Sequence, residues 1–249
     1  MNYPIAIMDY GIGGIGLVSM IKNEFPGVPI LYFSDSGEVP YGQLSYLTLK
    51  SRVEKVIEYL FQKGADRVVV ACHAASTVIE SDHKLIDIRE LTLTSIDHEP
   101  AKSIGIIGGG RTIRSRFYQK NLKKRSKQVK QRIAQQLSIL IERGEVETAE
   151  VDKAAKRILE PIKTYDRLLL ACTHYPAIRK KIESIMKAEC DIIDPVHTIY
   201  HLVKKPLYEY NGSNHGDRFY TTGDAELMKF AALNAFGFEI EVVSKVMLA

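Results

Sequence analysis

No apolar run in this chain approaches the roughly eighteen residues of a membrane span, so a membrane protein is not expected. The N-terminus, Met1-Asn2-Tyr3-Pro4-Ile5-Ala6-Ile7-Met8, has no basic stretch ahead of its apolar residues. It enters a strand directly, which argues against a secretory leader. Cysteine is scarce, with only Cys72, Cys172 and Cys190 among 249 residues. An odd, small number without a secretion signal points to a reducing cytoplasm and away from a disulfide framework. There is no CxxC pair and no HExxH motif, hence no expected metal site. No long linker or low-complexity stretch divides the chain.

Acidic residues are also missing locally. None occurs from Pro100 to Ile141, while Lys102 and ten Lys/Arg between Arg111 and Arg132 fall in that window. Such a segment suits an anionic partner, including nucleic acid. A solvated helix face explains it better, because Ile133, Leu137, Leu140 and Ile141 continue at helical spacing. Among the basic residues the only aromatics are the adjacent Phe117-Tyr118, not a series interleaved to stack on successive bases.

What the chain does contain is a phrase written twice. Asp66-Arg67-Val68-Val69-Val70-Ala71-Cys72 returns one hundred residues later as Asp166-Arg167-Leu168-Leu169-Leu170-Ala171-Cys172. Each is the short apolar run of a buried parallel strand, delivering a cysteine to the carboxyl end of a sheet. Ile104-Gly105-Ile106-Ile107 followed by Gly108-Gly109-Gly110 likewise echoes Ile5–Met8 and the turn after it, at an offset of 99.

Strand and helix signals alternate throughout. Strands are expected at Ile5–Met8, Ile30–Phe33, Arg67–Ala71, Ile104–Ile107, Leu168–Ala171 and Phe238–Val243, with a short one at Ser138–Ile141. Helices are expected at about Ile15–Phe25, Leu47–Lys63, Ser76–Ile86, from about Thr112, at Val151–Lys163 and at Tyr175–Lys187. The alternation predicts an α/β fold: two pseudo-symmetric, flavodoxin-like domains with mainly parallel sheets and an active site in the cleft between them. Residues 1–97 with 207–249 would form the first domain and 98–206 the second, the surplus C-terminal strand returning to the first.

The ligand edge of such sheets is where chemistry is expected. Asp9 ends the first strand, as either a helix cap or a carboxylate that contacts an ammonium group or orients a base. Gly11-Ile12-Gly13-Gly14-Ile15-Gly16, with Asp35 nineteen residues beyond, also fits a dinucleotide fingerprint. Asp9 opposes that alternative, since a carboxylate ahead of the turn would repel a pyrophosphate. Pro40-Tyr41-Gly42 is a turn whose N–H groups could meet a substrate carboxylate, with the Tyr41 hydroxyl as a further donor. Cys72 and Cys172 each precede a predicted helix, where the dipole favours a thiolate. A thiol on each face of a substrate carbon is what a cofactor-free racemase needs, one removing the α-proton and the other returning it. His174 could tune or protonate Cys172, and Thr173 and Ser76 are candidate ligands for carboxylate oxygens.

Taken together the chain resembles the glutamate racemase family of the aspartate/glutamate racemase superfamily. The likeness lies in Asp9-Tyr10-Gly11-Ile12-Gly13-Gly14, Val39-Pro40-Tyr41-Gly42, Ala71-Cys72-His73-Ala74-Ala75-Ser76 and Gly110-Arg111-Thr112-Ile113-Arg114-Ser115. It continues in Leu140-Ile141-Glu142-Arg143-Gly144, Ala171-Cys172-Thr173-His174-Tyr175-Pro176, Asp194-Pro195 and Phe219-Tyr220-Thr221-Thr222-Gly223-Asp224. The resemblance implies racemisation of glutamate, for cell-wall peptidoglycan, without PLP or metal. Cys72 and Cys172 would be the acid/base pair, each serving one enantiomer, assisted by Asp9, Glu142 and His174, in a dimeric enzyme. Glu142 enters on the resemblance alone. Tyr10, His73 and Ala74 stand where the family carries Ser, Asn and Thr to hold the amino acid. Here Tyr10 adds bulk, His73 could add positive charge and Ala74 deletes a hydroxyl. Another carboxylic-acid substrate, or a silent binding homologue, stays open.

Overall fold

In the first strand, side chains alternate between two apolar environments, so every position is buried. In the computed structural model, β1 (Ile5–Asp9) points Ile5 and Ile7 to one side and Ala6 and Met8 to the other. β2 (Ile30–Ser34) and β3 (Val68–Val70) repeat the pattern and pair with β1 in parallel. A strand dry on both faces must be apolar throughout, which is why these runs stand out in the sequence. The structure describes residues 2–37, 39–96, 101–124, 126–212 and 215–248. The expected domain boundary between 97 and 98, the start of the acid-free window at Pro100, and Arg125 within the basic segment lie outside them.

Between these strands run α1 (Ile15–Glu24) and α2 (Tyr46–Gln62), followed by β4 (Leu85–Asp87) and α3 (Ile88–Ser95). Ser45 caps α2, its hydroxyl accepting from the Thr48 N–H at 3.2 Å. The second half runs β5 (Ser103–Gly108), α4 (Gly110–Ser115), α5 (Phe117–Leu122), β6 (Gln128–Ile133), α6 (Gln135–Glu142) and α7 (Ala149–Leu159). It continues with β7 (Arg167–Ala171), α8 (Arg179–Ile185), β8 (Asp191–Ile193) and α9 (Pro195–Tyr208). The tail adds β9 (Arg218–Thr221), α10 (Ala225–Phe236) and β10 (Val243–Lys245).

Every strand pairing is parallel among the described residues. The four-stranded sheet is ordered β6-β5-β7-β8, and the six-stranded sheet β10-β9-β2-β1-β3-β4. Within each half the order is therefore second, first, third, fourth strand, and the six-stranded sheet gains β9 and β10 beyond β2. One apolar cluster runs from β1 and α1 through α9 and α10 to α6, α7 and β7, so the two halves share a core. Separate clusters fill the α2 side of the first sheet and the α5 side of the second.

Several sequence expectations are corrected. The helix expected at Ser76–Ile86 is a single 3-10 turn at Ala75–Thr77 followed by β4. The strand expected at Ser138–Ile141 lies inside α6, and the neighbouring strand is β6. Leu137, Leu140 and Ile141 are buried on one side of that helix, whose spacing reads as a run over four residues. The terminal strand is Val243–Lys245 rather than Phe238–Val243. The basic segment is not one helix face: it spans α4, α5 and the edge strand β6, whose pattern is largely exposed. No helix among the described residues is long and apolar enough to cross a membrane.

Candidate active site

Because β1 pairs with β3 and β5 with β7, the residues just past them stand together at the carboxyl edge of each sheet. Met8 aligns with Val70 and Gly108 with Ala171. Asp9 and Cys72 therefore leave the first sheet side by side, and Cys172 leaves the second beside Gly109. These ends face a common cavity of about 260 Å³. Of the residues named above for catalysis and substrate binding, all but Ser76 line it: Asp9, Tyr10, Pro40, Tyr41, Gly42, Cys72, His73, Ala74, Glu142, Cys172, Thr173 and His174. Ser76 is fully buried, its hydroxyl 3.4 Å from the Val70 carbonyl.

The two thiols sit in unlike surroundings. Cys72 is buried, and burial together with the nearby Asp9 charge holds its thiol well above the ordinary cysteine range. Cys172 is partly exposed, its Sγ 3.7 Å from His174 Nδ1. The other ring nitrogen of His174 lies 2.7 Å from Glu142 Oε2, and that oxygen accepts the Ile12 N–H at 2.9 Å. Burial alone would lower His174, but Cys172 and the Glu142 carboxylate outweigh it and hold the imidazole well above its usual value. His174 is thus biased toward its protonated form between a sulfur and a carboxylate.

Asp9 accepts the Thr173 hydroxyl at 2.7 Å and the Tyr10 N–H at 2.7 Å. Burial raises its carboxyl above the usual range despite the opposing charge of His174. Glycines make this approach possible. A Cβ on Gly13 would lie 2.2 Å from Thr173 Oγ1 and 2.7 Å from His174 Nδ1. One on Gly11 would lie 1.9 Å from Glu142 Oε2. The glycine-rich turn is thus a seat for the other half of the molecule, a role that repeat and strand signals alone do not reveal.

Three expected roles change. The Tyr41 hydroxyl donates to Asp35 Oδ2 at 2.6 Å, so it is engaged within the protein rather than offered to a ligand. Asp35 also receives Arg52 through two N–H groups, at 2.8 and 2.6 Å, and Thr222 Oγ1 at 2.8 Å. The carboxylate that the dinucleotide alternative assigns to a ribose is therefore saturated by protein donors, and that alternative falls. His73, expected to bring positive charge, is held neutral: burial, helped by Arg89, pushes its imidazole down to about 3. Both its ring nitrogens are buried without a hydrogen-bond partner. Thr173, expected as a carboxylate ligand, spends its hydroxyl hydrogen on Asp9.

Among the described residues no group of three or more His, Cys, Asp or Glu is arranged to hold a metal ion. Arg111, Gln135 and Ser138 also line the cavity and were not singled out from the sequence as site residues. Gln135 was hidden by its place at the start of an ordinary amphipathic helix, and Arg111 by the basic run around it.

Residues 18–203 match the Asp/Glu/Hydantoin racemase family. A glutamate racemase of Caldanaerobacter subterraneus subsp. tengcongensis is 31% identical over 252 aligned residues, covering 96% of both chains. Another, from a Thermoanaerobacter species, is 31% identical with the same coverage. Among solved structures, the glutamate racemase of Francisella tularensis in complex with D-glutamate superposes with a TM-score of 0.85. It is 25% identical and covers 99% of this chain and 98% of its own.

Proposed function

Since the chain belongs to the Asp/Glu/Hydantoin racemase family, and within it to the glutamate racemases, we propose that it interconverts L- and D-glutamate by moving one proton between Cys72 and Cys172 through the substrate α-carbon. The observation that carries this is the two thiols, at equivalent strand ends of two repeated halves, lining one cavity.

In one direction Cys172, as thiolate beside the His174 imidazolium, takes the α-proton. The Cys72 thiol, held protonated by its burial, gives its proton to the opposite face. In the other direction the Asp9 carboxylate takes the Cys72 proton, and the resulting thiolate removes the α-proton. Cys172, first protonated by the His174 imidazolium that Glu142 holds in place, donates to the opposite face. Asp9 then loses and His174 regains a proton by exchange with solvent. A carboxyl raised by burial is better matched to a thiol than an ordinary one, which eases that first transfer. No electron-withdrawing cofactor enters the scheme; backbone N–H groups at the strand ends stabilise the carboxylate as it becomes enediolate-like. The domain division proposed from the sequence, 1–97 with 207–249 against 98–206, is supported by β9 and β10 joining the first sheet.

The test is α-proton exchange in D₂O followed by NMR, with L-glutamate and L-aspartate in separate tubes. Loss of the glutamate signal with appearance of the D form supports the proposal. Exchange of aspartate alone reassigns the substrate, and exchange of neither overturns it.

A further inference from the structure

Arg111 lines the catalytic cavity, yet the proton-transfer scheme gives it nothing to do. It is the second residue of α4, in the second half of the molecule. Its Nε donates to Thr77 Oγ1 at 2.6 Å and its Nη1 to the Leu44 carbonyl at 2.9 Å, both in the first half. The guanidinium is thereby held in one place at the seam. Two of its five N–H groups are used this way, and no carboxylate among the described residues pairs with it.

The carboxylates of the cavity are engaged by groups other than Arg111. Glu142 is occupied by His174 and the Ile12 N–H. Asp9 is occupied by Thr173 and Tyr10. Arg143 also lines the cavity but belongs to its exposed rim. Arg111 thus gives the wall a tethered, partly buried cation that no carboxylate among the described residues contacts. Burial lowers the Arg111 pKa, the direction expected of a cation that lacks an anion.

Resting on the racemase reading, we propose that Arg111 binds the side-chain carboxylate of the substrate and so restricts the enzyme to acidic amino acids. A guanidinium tethered through two of its nitrogens still offers N–H groups to a carboxylate, and a charge-assisted pair of this kind discriminates strongly against a neutral amide. A neutral amino acid would leave the guanidinium both desolvated and unpaired. The Pro40-Tyr41-Gly42 turn packs close by, with the Arg111 backbone nitrogen 3.9 Å from where a Gly42 Cβ would stand.

The experiment compares L-glutamate with its neutral isostere L-glutamine, by α-proton exchange in D₂O and by calorimetric binding, for wild type, Arg111→Gln, Arg111→Lys and Arg143→Gln. Wild type is expected to prefer glutamate in both measurements. Arg111→Gln should lose about 10- to 100-fold in kcat/KM for glutamate, the range of a charged hydrogen bond. The loss should fall mainly on KM, because the contact exists before and during proton transfer. Glutamine should be affected little, and Arg111→Lys should recover part of the preference. Equal losses for both amino acids would mark a purely structural strut and overturn the proposal, as would selective loss in Arg143→Gln instead. The binding arm separates the two hypotheses. Tight, Arg111-dependent glutamate binding without exchange would defeat the racemase reading alone, whereas absence of any glutamate preference in wild type defeats the role of Arg111.

Discussion

Thr173, just past the last strand residue of one repeat, donates its hydroxyl hydrogen to Asp9, the last strand residue of the other, at 2.7 Å. The bond joins the carboxyl edges of the two sheets where a ligand would lie. It also fixes the distance between halves, because Gly13 fills the gap with no side chain to spare.

Gly13→Ala should therefore separate the halves. The added methyl would sit 2.2 Å from Thr173 Oγ1 and 2.9 Å from Asp9 Oδ2, too close for any rotamer change of its own to relieve. A stability loss of about 1–3 kcal/mol is expected, with kcat/KM down by about a hundredfold or more, since small misplacements of catalytic groups cost that much. Urea unfolding and exchange kinetics check the two effects. A variant with unchanged activity would show that the contact is not needed for the reaction.

Cys72→Ser and Cys172→Ser should each lower racemisation by about 10²–10⁴-fold while leaving glutamate affinity nearly intact. Each variant keeps one thiol, so each should still exchange the α-proton of one enantiomer, and the two variants should differ in which. Near-normal racemisation by both variants would end the two-thiol scheme.

How much of this was legible in the chain depends on how local the signal is. The strands ending near Asp9, Cys72 and Cys172 are apolar throughout because both faces are covered, and the repeat of Ala-Cys carried their equivalence. β6 escaped notice because it is an edge strand with no buried residue, so Lys130 and Arg132 read as part of a basic patch. β4 and β8, three residues each, are too short to show a period. Glu142 reaches the site through Ile12, 130 residues away in sequence, and only the family resemblance had pointed to it. The engagement of Tyr41 with Asp35 and the neutrality of His73 depend on burial, which no spacing reports.

His174 offers a test through pH. Its folded value is raised above the unfolded value of 6.5, so the native state holds the proton more tightly than the unfolded chain. The stability it contributes is complete below about pH 6.5 and disappears as pH rises through the raised folded value. Urea midpoints of wild type and His174→Gln should differ most at pH 6 and converge on the alkaline side. A gap that widens with pH would contradict the His174–Glu142 pairing.

His73 has the opposite sign. Its imidazole is held near 3 in the folded protein against 6.5 when free. The unfolded chain gains a proton through that window which the native state refuses, so stability falls as the solution is acidified. At pH 5 the cost is about 2 kcal/mol. His73→Asn should flatten the acid limb of the stability profile relative to its value at pH 7. An unchanged acid limb would mean that His73 is not held neutral.

The unequal settings of the two thiols, one enclosed and one coupled to His174, have a thermodynamic limit. The mirror-image forms of an amino acid have identical free energy in water, so the equilibrium constant is unity at every pH. Microscopic reversibility then forces kcat/KM to be equal for the two forms, however lopsided the protein around them. The asymmetry between Cys72 and Cys172 is visible only in how each direction divides that shared quantity between turnover and saturation.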